Sequence, residues 1–368
     1  MKLSIERDEL LRGLGRVQAI VERRGTMPIL ANVLIEARED GLTLAATDLE
    51  VAVVANHPAT VKTPGSVTLG AKKLYEIVRE LEGPEVLLST DDGARVTLTC
   101  GPAKFALLST SPEEYPSIAS ADGVAFAQID TALVSELIDH TLYATSSDET
   151  RYNLNGVFIE SVDGKRIRFV ATDGHRLAMI ERAVPTAVGF LAKGIIVPRK
   201  GVAEIRKLCD EGEGAVDLGL GDGFLMVRRP DLLLTTRLID GEFPNYRQIL
   251  PKGHKVRLLV DRERLQHAVR RIALMAHERS RGFRFVLSDG QVDLSASNPD
   301  LGEARELLPV EYQGERFETA FNARYLLDVL GSMSAKEVVL ELSEELSPAQ
   351  FRPSDDPDEI AVIMPMRL

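Results

Sequence analysis

The sequence predicts an α+β protein built from three tandem copies of one domain. Three segments with alternating apolar residues each run into a short polar turn, and they read LTLAATDLE, IRFVATDGH and VDLSASNPD. Their equivalent turn residues Thr47, Thr172 and Ser297 follow one another at intervals of 125 residues. A period of this length is the size of a whole domain. The chain is therefore predicted to be a domain triplication, not a solenoid of short repeats.

Two helices are predicted in each copy. The central helices open at GAKKLYEIVREL, VPRKGVAEIRKL and FNARYLLDVL. The first helices follow an opening strand and an acidic residue expected to cap the helix, which is Glu6, Asp130 or Asp261. Each copy therefore has the predicted order strand, helix, several strands, helix, several strands, with two helices covering one side of the sheets. Clusters of turn residues set the predicted domains at 1–121, 128–253 and 256–368.

The charge of the chain is acidic, with a formal net charge of −12 over 368 residues. An acidic balance argues against nucleic acid as a partner, although the local distribution of charge decides what a ligand meets. Basic residues are numerous in the predicted helices, while acidic residues gather in turns such as Asp91-Asp92 and Asp355-Asp356. Two interpretations stay open, an ordinary charged helix surface and a basic functional face.

The two cysteines, Cys100 and Cys209, lack the spacing of a metal or redox pair. They are expected to be free thiols in a reducing compartment. The N-terminus carries charges where a signal peptide would be apolar, and no apolar run has the length of a membrane span. We expect a soluble, cytoplasmic protein that does not contact a membrane.

A possible catalytic motif is Asp173-Gly174-His175, in which the carboxylate could orient the imidazole of a hydrolase or lyase. The equivalent turns of the other copies have Leu49-Glu50 and Pro299-Asp300 in place of Gly174-His175, which favours a structural turn. The sequence has no Walker A, GxGxxG, HExxH or GxSxG motif, and its six histidines lack metal-ligand spacing. No metal or other cofactor is expected.

Several longer motifs resemble the family of bacterial DNA polymerase III beta subunits, the beta sliding clamps. The resemblance rests on VIMPMRL at the C-terminus, RYNLNG from Arg151, ATDGHRL from Ala171, VPRKG from Val197, GEFPNY from Gly241, FNARYLLDVL from Phe321, and MPILAN with ATDLE in the first copy. These motifs occur in the family's order and span the whole chain.

The resemblance implies a protein that is not an enzyme. A head-to-tail homodimer would form a six-domain ring of clamp domains, with helices lining the hole and sheets forming the outer wall. The ring would encircle duplex DNA and slide without sequence readout. It would bind the replicative DNA polymerase catalytic subunit, the clamp loader, repair polymerases and other proteins that carry a clamp-binding motif. The alternatives are a peptide-binding scaffold that never encircles DNA and an antibiotic-resistance paralogue of the clamp.

Three groups of site residues follow from the helix charges and the resemblance. The residues expected to face DNA are Arg24, Lys72, Lys73, Arg79, Arg199, Lys200, Arg206 and Lys207. The predicted helix Thr131–Leu142 is too acidic to add much positive charge to this face.

The resemblance also implies an apolar cleft that binds short peptides between the second and third domains. Its residues would be Leu154, Thr172, Gly174, His175, Arg176, Leu177, Pro244, Ile249, Asn322, Tyr325, Leu346, Val362, Met364, Pro365 and Met366. Gln248, Ser280 and Pro348 differ from a well-known family member, which puts the rim and its peptide preference in question. The alternative for the last of these cleft residues is a final core strand.

The dimer seam is expected to use Phe105 and Leu107 of one chain against Leu274 and Met275 of the other. The alternative is that all four residues belong to cores within their own domains.

Overall fold

The computed structural model describes residues 1–21, 27–90, 95–251 and 253–368. Six α-helices lie within these ranges: α1 Arg7–Gln18, α2 Ala71–Arg79, α3 Thr131–Asp139, α4 Arg199–Asp210, α5 Arg262–Ala273 and α6 Ala323–Ser332. Each copy contributes two of them, as the sequence predicts.

The strands of the described residues also follow the repeat. The first copy contains β1 Lys2–Glu6, β2 Asn32–Arg38, β3 Gly41–Thr47, β4 Val51–His57, β5 Thr60–Thr63, β6 Gly65–Gly70, β7 Glu85–Thr90, β8 Arg95–Cys100 and β9 Ala103–Leu108. The second contains β10 Phe126–Asp130, β11 Gly156–Ser161, β12 Arg166–Thr172, β13 Arg176–Ala183, β14 Ile195–Pro198, β15 Ala215–Gly221, β16 Phe224–Arg229 and β17 Leu232–Arg237. The third contains β18 Val256–Asp261, β19 Gly282–Ser288, β20 Gln291–Asn298, β21 Gly302–Pro309, β22 Phe317–Asn322, β23 Glu337–Leu342, β24 Ala349–Pro353 and β25 Glu359–Ile363.

Each copy consists of two successive halves, and each half has one strand, one helix and three strands. The first copy, for example, runs β1-α1-β2-β3-β4 and then β6-α2-β7-β8-β9, with β5 as an additional short strand between the halves. The predicted α+β order and the predicted triplication are confirmed.

The strands form four sheets in two compact units. The first unit, residues 1–130 and 213–238, contains the sheets β5-β1-β7-β8-β9 and β10-β15-β16-β17-β4-β3-β2-β6. The second unit, residues 131–212 and 239–368, contains β14-β11-β12-β13-β25-β24-β23-β18 and β21-β20-β19-β22.

The same strand pairing joins consecutive copies. In the first unit β17 of copy two pairs antiparallel with β4 of copy one, and Thr236 lies opposite Val51. In the second unit β25 of copy three pairs antiparallel with β13 of copy two, and Ile363 lies opposite Arg176. Val51 and Arg176 are separated by the 125-residue repeat, so both junctions begin at equivalent residues of β4 and β13. Each eight-stranded sheet is thus shared by two copies.

The two helices of each copy pack against each other, α1 on α2, α3 on α4 and α5 on α6. In α1 the apolar residues Leu10, Leu14 and Val17 recur at helical spacing and are fully buried. Helix α3 ends at Asp139 and not at the predicted Leu142, because the chain leaves the helix where Thr141 donates its hydroxyl to the carbonyl of Leu137 at 2.7 Å.

The predicted acidic caps differ between copies. The Asp261 side chain accepts a hydrogen bond from the Arg264 backbone N–H at 2.9 Å and caps α5. The Glu6 side chain makes no cap hydrogen bond to α1, so that expectation is wrong for the first copy. Glutamate is one methylene longer than the favoured capping residues. No helix of the described ranges is long and apolar enough to cross a membrane.

Candidate functional site

A tight turn joins β12 to β13 at the sequence motif of copy two. The Thr172 hydroxyl donates to the Arg176 carbonyl at 2.6 Å and accepts from the Gly174 N–H at 3.1 Å. Asp173 Oδ1 accepts the backbone N–H groups of His175 and Arg176 at 2.9 and 3.0 Å. Gly174 has a φ of +87°, a left-handed conformation that glycine adopts without strain. The turn is fixed by its own side chains.

Copy one builds the same turn without histidine. Thr47 donates to the Val51 carbonyl and accepts from the Leu49 N–H, while Asp48 accepts two backbone N–H groups. Leu49 takes the left-handed position with a φ of +76°. The threonine and the aspartate therefore hold the turn in both copies. The second carboxylate oxygen of Asp173 accepts from the Arg176 guanidinium at 3.1 Å. The carboxylate is not placed to orient an imidazole.

An apolar cavity of about 530 Å³ opens beside this turn. It is lined by Thr172, Gly174, Arg176, Leu177, Gln248, Ile249, Leu250, Pro251, Gly253, Ser343, Ser347, Pro348, Val362 and Met364. Its floor belongs to a cluster of buried side chains that includes Leu177, Tyr246 and Val362, with Ile249 and Leu250 packed against them. The cavity has the size and the apolar character of a site for a few side chains of a bound ligand.

A buried polar network supports the floor from below. The Tyr246 hydroxyl donates to Glu160 Oε1 at 2.5 Å and accepts from Arg168 Nη1 at 2.7 Å. Arg168 and Arg247 also donate to Glu160, at 2.9 and 2.6 Å. Burial, together with the hydrogen bond to Glu160, raises the pKa of Tyr246 to about 12. Tyr246 is therefore neutral at physiological pH and has a fixed ring position.

Arg176 forms one wall of the cavity and is itself held rigidly. Its guanidinium donates to Asp328 Oδ2 and to the Tyr143 carbonyl, both at 2.6 Å, and pairs with Asp173. It also lies over the rings of Tyr143 and Tyr325, at 5.3 and 4.6 Å from their centroids. The arginine charge is matched by two carboxylates, so this wall is polar but not strongly cationic.

A second group of predicted residues lies on the other side of Arg176. The exposed His175 ring lies nearly parallel to the Tyr325 ring, with centroids 6.2 Å apart. The Met364 N–H donates to the His175 carbonyl at 2.8 Å, which ties the C-terminal segment to the turn. Asn322 caps α6 through the N–H of Arg324. These residues adjoin the cavity through Arg176 and Met364, which line it.

The prediction and the cavity overlap in part. The predicted residues that line the cavity are Thr172, Gly174, Arg176, Leu177, Ile249, Val362 and Met364. His175, Asn322 and Tyr325 belong to the adjoining surface described above. Leu154, Pro244, Leu346, Pro365 and Met366 do not line the cavity; Leu154 is buried and Leu346 is exposed.

Some lining residues were missed by the sequence reasoning. Leu250, Pro251 and Gly253 follow closely after the GEFPNY motif and could have been inferred from its continuation. Ser343 and Ser347 come from the loop that follows β23, and a polar loop gives no signal of its own. Of the three positions that differ from a well-known family member, Gln248 and Pro348 line the cavity and Ser280 does not.

The basic residues of α2 are exposed. Lys73 pairs with Glu76 at 2.5 Å and Arg79 pairs with Glu80 at 3.0 Å. Lys72 has no carboxylate within ion-pair distance among the described residues. The helix therefore presents three cations, two of which have an acidic neighbour on the same surface.

The acidity of α3 is largely offset by arginines. Arg206 of α4 donates to Asp139 at 2.8 Å and also to Asp210, and these two carboxylates, Asp139 first, raise the pKa of the guanidinium. Glu136 accepts from Arg182 at 2.7 Å. That α3 adds little positive charge stays a prediction. Arg206 forms an ion pair with Asp139 of α3 and so offsets part of the negative charge of this helix.

The remaining predicted cations are distributed unevenly. Arg199 is exposed and has no ion pair within the part of the chain that the structure describes. Lys200 is half-buried, and Lys207 is exposed and pairs with Glu204 at 2.7 Å. Arg24 lies outside the described residues.

The predicted seam residues lie at or beside strands that end a sheet. β9 is the last strand of its sheet in the first unit, and it carries exposed Phe105, half-buried Leu107 and Leu108, which is 78% exposed. In the second unit α5 is followed by Leu274, which is 76% exposed, and by half-buried Met275. The most exposed apolar side chains of the two segments, Leu108 and Leu274, are therefore not buried in the cores of their own domains.

The end strand of the second unit has more exposed apolar residues than predicted. β21 is the last strand of its sheet and carries exposed Leu307, while Leu301 precedes it and is also exposed. Exposed leucines on an unpaired edge strand are unusual in a monomeric protein. Among the described residues no cluster of histidine, cysteine or carboxylate side chains could hold a metal ion.

Comparison with known proteins agrees with this architecture. Three family models, described as the N-terminal, central and C-terminal domains of the DNA polymerase III beta subunit, match residues 1–119, 128–245 and 247–367. The chain is 39% identical over 375 residues to the beta sliding clamp of Caulobacter vibrioides and 34% identical over 371 residues to that of Escherichia coli K12, with full coverage of both chains in each case. The crystal structure of the Caulobacter crescentus beta sliding clamp with a bound polyethylene glycol matches with a TM-score of 0.95, 39% identity and full coverage of both chains.

The fold and the cleft define a triplicated α+β protein with an apolar cleft beside the 172–176 turn. The chain belongs to the family of bacterial DNA polymerase III beta subunits, the beta sliding clamps. It is a DNA sliding clamp of replication, a non-catalytic processivity factor, and the hydrolase interpretation of Asp173 and His175 is wrong.

Proposed function

We propose that two copies of this chain close head-to-tail into a ring around duplex DNA. The observation that carries the proposal is the repeated junction between copies. β4 pairs with β17, and β13 pairs with β25. In both cases the fourth strand of one copy, not counting β5, pairs with the last strand of the next copy. The equivalent third pair is β21 with β9, and each of these strands is a sheet edge within one chain.

In the same pattern of pairing, the partner strand that β9 and β21 lack would come from a second copy of the chain. Antiparallel pairing of β9 with the partner subunit's β21 would cover both edges and bury the exposed apolar residues around Phe105 and Leu274. Two such contacts pair β9 and β21 of both copies, so the assembly closes instead of growing into a filament. We propose domain limits of 1–121, 128–253 and 256–368 for the six parts of this ring.

The helices would face the DNA with their cations. Lys72, Lys73 and Arg79 on α2, with Arg199, Lys200, Arg206 and Lys207 on α4, are the proposed phosphate contacts, together with Arg24 of the undescribed segment. Several of these cations have acidic neighbours, which weakens each contact. Weak, exchangeable phosphate contacts are what a ring needs in order to slide without sequence readout.

The apolar cavity beside the 172–176 turn would receive short peptides of the partner proteins. An extended peptide could place apolar side chains against Leu177 and Val362 in the deeper cavity. Its remaining residues would lie on the His175 and Tyr325 surface. The proposed cleft also keeps the more distant predicted residues Leu154, Pro244, Leu346, Pro365 and Met366. The proposed partners are the replicative DNA polymerase catalytic subunit, the clamp loader, repair polymerases and other proteins with a clamp-binding motif, in the cytoplasm.

The decisive experiment measures retention on DNA. The chain is loaded by its clamp loader onto nicked circular DNA, the complex is isolated by gel filtration, and the circle is then cut at one site. A ring is retained on the circle and released within minutes after cutting, because the link is topological. Retention that does not depend on circularity would contradict the proposal.

A peptide-binding scaffold that never encircles DNA is separated by charge reversal. The double variant Lys72→Glu, Arg199→Glu should lose stimulation of DNA synthesis while its peptide affinity stays within about twofold, since neither residue lines the cavity. Unchanged stimulation would favour the scaffold.

A further inference from the structure

A groove of about 660 Å³ lies on the third copy, between β18 and the end of β21. One side is β18, with Leu259, Val260 and the neighbouring Arg264 of α5. The other side is the segment that leaves β21, with Val310 and Glu311. The groove therefore runs along the edge of a strand.

The edge of β18 has no strand beside it in the described residues. β18 is the last strand of its sheet and pairs only with β23. The Arg262 N–H donates to the Lys336 carbonyl at 2.9 Å, so Arg262 and Lys336 form a hydrogen-bonded pair. Every second residue of β18, counted back from Arg262, therefore bonds to β23. In an antiparallel pair the hydrogen-bonded residues alternate, so the backbone groups of Arg257 and Leu259 point away from β23 and into the groove.

The first copy fills the same edge. β1 is equivalent to β18, and there the short strand β5 pairs along its outer side. Lys2 lies opposite Thr63 and Ser4 opposite Thr60. The Arg7 N–H donates to the Pro84 carbonyl as the Arg262 N–H donates to the Lys336 carbonyl, so Arg7 and Arg262 are equivalent. Counting back along the two strands makes Lys2 and Ser4 the counterparts of Arg257 and Leu259.

The connecting segments are equally long but take different paths. Seven residues join β4 to β6 in copy one, and seven join β21 to β22 in copy three. In copy three the Val310 N–H donates to the Gly290 carbonyl at 3.0 Å, and the Gly290 N–H donates to the Tyr312 carbonyl at 2.9 Å. The Gly314 N–H adds a bond to Asp289. These bonds hold the segment on the β19–β20 turn and keep it away from β18.

We propose that the free edge of β18 binds an extended segment of a partner protein by strand addition. The occupant has the chemistry of β5, a β-branched apolar residue next to a lysine, as in Val61 and Lys62. In the β1–β5 register Val61 lies opposite Leu3, the counterpart of the buried Leu258. The residue at the position of Thr60 would lie beside Leu259, which is 46% exposed.

The charge of the groove suits a lysine in the added strand. Arg257 and Arg264 line the groove together with three carboxylates, Asp261, Glu311 and Glu337, so the groove is net acidic. Glu311 and Glu337 have no cation within ion-pair distance among the described residues. A cation in the added strand would gain an opposite charge from this groove without displacing an existing ion pair.

The probe is a fluorescently labelled synthetic peptide with the sequence of residues 58–64, PATVKTP. Its binding to the full chain is followed by fluorescence anisotropy. Leu259→Asp should weaken binding at least about tenfold, because it removes the apolar contact with the threonine methyl group and leaves a carboxylate that the added strand would desolvate. The matched control is Leu87→Asp, since Leu87 is also 46% exposed but lies on β7, inside a sheet, and should leave binding within about twofold.

A second probe tests the backbone contribution without changing the protein. The same peptide with N-methyl groups on the amides of the two outer threonines loses the donors that pair with a strand edge, and it should bind at least about tenfold more weakly. Absent binding of the unmodified peptide, equal loss with both leucine variants, or an undiminished N-methyl peptide would overturn the proposal. A lower dimer affinity of Leu259→Asp in sedimentation would also overturn it, since the occupant would then be a second copy.

Discussion

Leu274 offers the sharpest test of the proposed ring, because it is 76% exposed in the single chain. Full burial of a leucine side chain stabilises an association by about 1.5–3 kcal/mol. Burial of the exposed three quarters at a seam is then worth about 1–2 kcal/mol. A head-to-tail ring has two identical seams, so each substitution acts twice and Leu274→Ala should cost about 2–4 kcal/mol per dimer. The dimer Kd should rise about 30- to 1000-fold.

The measurement is sedimentation equilibrium of the full chain over a wide range of concentrations. Leu87→Ala is the control, because Leu87 is also exposed but lies on an inner strand of its sheet. The control should leave the dimer Kd within about twofold, and both variants should keep the Tm of the unmodified chain. A Leu274→Ala dimer Kd within about threefold of the unmodified value, with unchanged Tm, would refute the reasoning about the seam.

Three further predictions concern the cleft, the helices and pH. Ile249→Lys should reduce the affinity for a clamp-binding peptide at least about tenfold in anisotropy, because it places a charge in the apolar cavity, and an unchanged affinity would exclude Ile249 from the site. Replacing Lys72 and Lys73 by Gln removes four cations from the ring, so it should weaken DNA binding and lower the slope of log K against log salt by up to about 4; an unchanged slope would remove both lysines from the DNA contacts. Burial opposes charging of His140, but the ion pair with Glu359 at 2.7 Å outweighs it and raises the pKa of His140. The charged form therefore stabilises the fold below a pH of about 6.5, and this stability is lost as the pH rises through the raised pKa. His140→Gln should accordingly lower the Tm more at pH 5.5 than at pH 9, and equal losses would contradict the assignment.

The repeat was readable from the sequence because its turns use local chemistry. Thr47 and Thr172 make the same two hydrogen bonds in their turns, and such side chain to backbone contacts depend on neighbouring residues alone. The helices were readable for the same reason, since spacing of apolar residues along α1 already defines its buried face.

The sharing of sheets between copies was not readable. Nothing in β17 indicates that it pairs with β4 and not with a strand of its own copy, because strand pairing joins residues far apart in sequence. The ion pair of Arg206 with Asp139 is likewise set by the packing of α4 on α3, whereas its pair with Asp210 lies within α4 at (i, i+4) spacing. The cleft was only partly predicted for a related reason, since Ser343 and Ser347 reach it from a loop whose position depends on the sheet behind it.

The ion pairs of the helices reconcile an acidic chain with a DNA partner. Lys73, Arg206 and Lys207 each contact a carboxylate, so a phosphate that approaches them competes with an existing partner. The net gain from such an exchange is small, because exposed ion pairs are worth about 0–1 kcal/mol. Many contacts of this kind hold a duplex near the helix surface without fixing its register. In the proposed ring, the closed topology keeps the protein on the DNA, and the weak contacts allow it to slide.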